Sequence, residues 1–151
     1  MATVLSNARA VAVVRVLLGF IFALFGLNGF LNFLHMPAPS GAALTFMSGL
    51  GASGYFFPLL AATQLISGIL LLAGRFVTLA LLLLAPVIVN ILLFHVAVAP
   101  AGLPLAILVL VLEVFLAWSY RDTFAHVVRA RVEPSAAASR DGARALTHRA
   151  A

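Results

Sequence analysis

The chain predicts an all-α fold, a four-helix transmembrane bundle with both termini on the cytoplasmic side. A short interfacial helix is expected in the first outer loop and a disordered basic tail at the C-terminal end. Three observations predict this. Four apolar segments are each long enough to cross ~30 Å of hydrocarbon at ~1.5 Å per residue. Of the 151 residues, 64% are hydrophobic and only 9% charged, where a soluble domain carries about a quarter charged; the mean hydropathy is +1.19. The arginines gather at alternate ends of the apolar segments, as the positive-inside rule requires of a multi-pass protein.

The membrane domain is expected over residues 1–132, with helices at about 10–34, 55–73, 76–98 and 103–120. The first apolar run exceeds the ~7–15 residues of a signal-peptide core, so it is read as a retained helix. Pro37, Pro39 and Gly41 end it, because proline lacks an amide donor and restricts the residue before it. Ala42 to Leu50 can form the interfacial helix, and Gly49, Gly51 and Gly54 loosen the chain beyond. Gly74 and Arg75 leave room only for a tight turn, which forces the second and third helices to be antiparallel neighbours. The third helix starts at that turn and runs to Val98, interrupted only by Pro86 and Asn90. Pro104 suits the first turn of the fourth helix, where a missing N–H costs nothing. Residues 133–151 are rich in Ala, Ser and Arg without periodicity, the composition of a disordered segment.

Arg9, Arg15, Arg75, Arg121 and the tail arginines mark one side of the membrane, while the two other loops contain no Lys or Arg. Phe30, Phe33, Tyr55, Phe56 and Phe57 mark the outer boundary; Trp118 and Tyr120 mark the inner one. This reading places the chain in a bacterial-type cytoplasmic membrane. With no cysteine in the chain, thiol redox chemistry and thiolate metal sites are excluded. The net charge of +5 follows the topology signal, so nucleic acid is not an expected partner. No phosphate loop, HExxH, GxSxG or CxxC is present.

Polar groups within the apolar segments are the candidate site. Arg15 and Glu113 are the ionisable ones, each costing a few kcal/mol in hydrocarbon unless partnered. At ~1.5 Å per residue, Glu113 lies ~12 Å and Arg15 under ~10 Å from the inner boundary. If the first and fourth helices are adjacent the two can form an ion pair, either as structural glue or as part of a ligand or proton site. Gln64, Ser67, Asn90, Asn28 and Tyr120 extend this into a polar ladder, explained either by interhelical packing or by a small polar-lined pocket. Gly19, Ala23 and Gly26 form a small-residue face that allows close backbone approach, including that of a second copy. His35 and His95 end at the outer surface as weak metal candidates; no metal or haem is expected.

The first helix reads Arg15-Val-Leu-Leu-Gly19-Phe-Ile-Phe22-Ala-Leu-Phe-Gly26. This resembles the R-x-x-x-G-x-x-F-x-x-x-G signature that opens DoxX-family membrane proteins. The run Gln64-Leu-Ile-Ser-Gly68 through Gly74-Arg75 is similar to that family's second-helix segment. Where many members carry Lys after the second glycine, this chain has Asn28 and Gly29; where many carry Glu in the second helix, it has Gln64. The resemblance implies a subunit of a quinone-linked oxidoreductase or oxidative-stress membrane complex, with quinone as its ligand and membrane proteins as partners. Two other functions remain open from the residues: a non-enzymatic scaffold or assembly protein, and a small-solute or proton-coupled transporter using Glu113.

Overall fold

The computed structural model describes residues 2–35 and 37–127; the tail expected over 133–151 lies outside them. Every regular element among the described residues is helical. They are α1 (Ala2–Leu31), α2 (Gly41–Gly51), α3 (Phe56–Ala73), α4 (Val77–Ala97), α5 (Leu103–Ser119) and α6 (Arg121–Val127), with a 3-10 turn at Pro100–Gly102 before α5. Four of these helices are long and apolar enough to cross a membrane, over Ala8–Leu31, Phe56–Ala73, Val77–Ala97 and Pro100–Ser119. The protein is therefore a multi-pass, four-helix membrane bundle. From Asp122 onward, α6 belongs to a unit separate from the bundle.

The four long helices close into a ring. α1 packs on α3, α3 on α4, α4 on α5, and α5 back on α1. Leu18 and Phe22 of α1, Leu71 of α3, Leu81, Leu84 and Ile88 of α4, and Leu116 of α5 fill its centre. The outer faces carry Leu59, Leu93, Val96, Val111 and Val114, all more than half exposed. In water so much apolar surface would drive association; in a bilayer it meets acyl chains.

α1 against α3 is the most extensive of these contacts, and it is made by small residues. Gly68 of α3 lies directly on the backbone of Ala23, and Gly26 of α1 on the backbone of Leu65 and Ala61. A Cβ on Gly19 would stand 2.9 Å from that of Leu71, and one on Gly29 2.5 Å from that of Ala61. Helices in lipid gain nothing from hiding apolar surface from each other, so they associate by dispersion at close range. Glycine permits that range. The small-residue face of Gly19, Ala23 and Gly26 is thus packed by α3 of the same chain.

Helix ends follow local chemistry. α1 stops at Leu31, three residues short of the expected end, because Asn32 takes a left-handed conformation (φ 51°). The Asn28 side chain then accepts the Leu34 N–H at 2.7 Å. α3 ends in a Schellman motif at Gly74 (φ 66°). There the Gly74 N–H meets the Leu71 carbonyl and the Arg75 N–H the Leu70 carbonyl, both at 3.1 Å, satisfying two terminal acceptors. Pro86 sits inside α4 and leaves the Leu82 carbonyl without its helical donor.

Gly68→Ala places a methyl group on the backbone of Ala23, which cannot move aside. It is expected to lower bundle stability by about 1–3 kcal/mol, the usual cost of overpacking. Gly49→Ala, where nothing lies within 4 Å, is expected to be neutral. Unfolding of both variants in mixed micelles checks the contrast.

Candidate functional site

Arg15 does not pair with Glu113. Its guanidinium lies against the α3–α4 turn, where Nη1 donates to the Leu71 carbonyl and the group rests beside Gly74. The last carbonyls of a helix carry the negative end of its dipole, and a cation there is stabilised by about 0.3–1 kcal/mol or more when partly buried. Depth arithmetic placed Arg15 and Glu113 at similar levels. The side chain instead turns toward α3, the neighbour on its own face, which offers acceptors that are backbone atoms.

Glu113 belongs to the stripe of α5 that faces the bundle, with Ala106, Val109, Leu112 and Leu116. It is 6% exposed, and its Oε2 has no hydrogen-bond partner among the described residues. Ser67 of α3 is wholly buried and its Oγ is likewise without one. Each lies six positions from the last residue of its helix, so both sit ~9 Å above the Arg-bearing end.

The remaining members of the expected ladder are not joined. No hydrogen bond links the side chains of Gln64, Ser67, Asn90, Asn28 and Tyr120 to one another. Asn28 is spent on the loop at Leu34. Gln64 and Tyr120 are half-buried, and Asn90 is exposed on the flank of α4 rather than turned into the core. The reason is azimuth: Leu84 and Ile88 occupy the inner face of α4, and Asn90, two residues beyond Ile88, points well away from it.

Asn90 instead lines a half-open cleft of about 360 Å³ outside the ring. α2 covers it with Phe46, Met47 and Leu50; α3 contributes Phe56, Phe57 and Leu60; α4 contributes Pro86, Val87, Asn90, Ile91, Phe94 and His95. A second hollow on the same flank shares Phe46, Pro86, Asn90 and Phe94. The rings of Phe46 and Phe94 meet at 5.4 Å and hold α2 over α4. Position 90 lies one turn beyond Pro86, so the cleft joins a proline-interrupted backbone, an aromatic wall and one amide able to donate and accept. Spacing alone could have flagged the Phe46 and Phe94 pairing only if α2 were known to lie on α4.

His95 donates through Nδ1 to the Ile91 carbonyl at 2.7 Å and its ring packs on Gly102. His35 is exposed after the end of α1. Among the described residues no cluster of three or more His, Cys, Asp or Glu is able to hold a metal ion.

The fold and these features define a multi-pass membrane protein with an aromatic cleft on the flank of its bundle. No family model, curated protein or solved structure matches the chain.

In a double-mutant cycle, Arg15→Ala alone is expected to cost about 1.5–3 kcal/mol, the usual worth of a charge-assisted hydrogen bond. Its coupling to Glu113→Ala is expected to stay within about 0.5 kcal/mol, as for independent sites. A larger coupling would restore the ion pair.

Proposed function

We propose that this protein is a DoxX-like membrane subunit that holds an amphipathic, membrane-dissolved ligand of the quinone class in the cleft between α2, α3 and α4. The observation that carries the reading is the unpartnered Asn90 amide set among Phe46, Phe56, Phe57 and Phe94 in a cleft of about 360 Å³, within the ~300–1,000 Å³ of small-molecule sites. Aromatic rings stack on a planar head group, and an amide directs one hydrogen bond to a ring carbonyl or hydroxyl. The half-open side lets an isoprenoid tail remain among the lipids. Chemistry on such a ligand would be shared with a membrane redox partner. The site so proposed lies on the flank of the bundle and not in its interior, where the sequence pointed.

Both termini are cytoplasmic in this reading, in a bacterial-type inner membrane. The start of α1, the α3–α4 turn and the end of α5 share one end of the bundle and carry Arg9, Arg15, Arg75 and Arg121. A non-enzymatic scaffold is the second reading, favoured by the filled centre, where Leu18, Leu71, Leu84 and Leu116 are wholly buried.

Mass spectrometry of lipids retained by gently purified protein tests the ligand. Enrichment of a quinone in the native protein, lost in Asn90→Leu with unchanged thermal stability, is the expected result. No enrichment in either would leave the scaffold. Orientation is read separately, since the chain is free of cysteine. Ser53→Cys is expected to react with an impermeant maleimide from outside intact cells, and Thr123→Cys only after permeabilisation.

A further inference from the structure

We infer that the seam between α1 and the α3–α4 turn binds the phosphate of an anionic membrane lipid. This site is at the opposite end of the bundle from the cleft and does not rest on the quinone reading.

Arg15 and Arg75 build it. The Arg15 guanidinium reaches across the seam to Leu71 and lies against Gly74, its Nη2 3.2 Å from where a Cβ would stand. Arg75 is the next residue, its Cα ~3.8 Å further along the chain, and its side chain is exposed. The glycine matters: any side chain at position 74 would collide with the guanidinium. Two cations are thus brought to one turn, one half-buried and fixed, the other exposed and able to fold over a ligand.

Among the described residues, their charge is not neutralised by an acid. Four acidic residues stand against nine arginines in the chain, and no ion pair forms between either Arg15 or Arg75 and an acid among the described residues. Leu71 takes one of the five N–H donors of Arg15. The others remain in the planar fork that matches two oxygens of a phosphate.

Depth selects a lipid head group as the source. The turn lies where α3 ends and α4 begins, at the same end as Trp118, which is 72% exposed, with Arg121 stacked 5.6 Å from its ring. Exposed tryptophan at a helix end sits at the head-group level. A phosphate there reaches Arg75 from the water side and Arg15 from the hydrocarbon side, and its acyl chains can follow the exposed flank of Val13 and Val16.

The test uses the full chain in neutral detergent, with native mass spectrometry reading bound phosphatidylglycerol. Arg75→Gln is expected to weaken binding about five-fold, from ~1 kcal/mol per arginine near a membrane surface. Arg15→Lys keeps the charge and a donor for the turn but loses the fork, and is expected to weaken binding by a similar factor without unfolding the bundle. Arg9→Gln removes the same charge from a different face of α1 and is expected to change binding less than two-fold. Equal losses in Arg75→Gln and Arg9→Gln, or no loss in either, would overturn the site in favour of diffuse attraction. Displacement of the lipid by millimolar inorganic phosphate would overturn the lipid assignment and leave a free-phosphate site.

Discussion

Backbone contact between α1 and α3 is the constraint on which the rest of the bundle depends. Gly26, Gly68 and Gly19 let the two helices approach until backbone meets backbone. At that separation nothing larger fits, so rotation and sliding are both blocked. Arg15 reaches the Leu71 carbonyl because Gly19 and Gly68 have set the register one turn away. The same register brings Leu18 and Phe22 into the centre, where they are covered by α4 and α5. In a bilayer, where apolar burial between helices is weakly rewarded, shape at close range supplies the specificity that hydrophobicity supplies in water.

The α3–α4 turn is the second fixed point. Its Schellman motif satisfies the Leu70 and Leu71 carbonyls within the chain, yet Leu71 also accepts from Arg15. One carbonyl therefore joins three helices: α3 by membership, α4 through the turn and α1 through a side chain. The left-handed Phe76 (φ 53°) that follows is an uncommon conformation for a bulky residue. It is held by an amide on each side: the Arg75 N–H to Leu70 and the Ala80 N–H to the Phe76 carbonyl.

How much of this was legible in the sequence depends on which dimension of the helix is asked about. Position along the axis was readable. Length and apolarity located four spans, the Gly74–Arg75 pair announced a tight turn, and prolines with Gly41 announced the loop before α2. Azimuth was readable only within one helix. Gly19, Ala23 and Gly26 were recognisable as a packing face, but no spacing distinguishes a neighbour in the same chain from a second copy. Arg15 and Glu113 were set near one depth by distance along the axis, but the Arg15 guanidinium lies at the α3–α4 turn while Glu113 stands six residues inside α5, and axial position does not fix the direction in which a side chain leaves its helix. The partner Arg15 takes is a carbonyl, which a search among side chains passes over. A signal was present: a left-handed glycine ending a helix marks a cluster of exposed acceptors, and Arg15 stands at its height. Asn90 failed for the same reason of direction, since nothing in α4 alone says that Leu84 and Ile88, not Asn90, turn inward.

The two ends and the middle of the bundle consequently differ in how their polar groups are satisfied. At the Arg-bearing end, Arg15 and the turn satisfy each other. At the opposite end, Asn28 and His95 close local bonds to Leu34 and Ile91. About 9 Å in from the Arg-bearing end, Ser67 and Glu113 are held by packing, each with one oxygen that has no hydrogen-bond partner among the described residues. Such a group costs about 1–3 kcal/mol or more when buried. The interlocked α1–α3 seam is what tolerates this. Because α3 is fixed by contacts of its own backbone with α1, neither Ser67 nor Glu113 has to contribute to holding the helices together. Their unused oxygens are therefore a property the fold can carry, set at one depth in a core that is otherwise apolar.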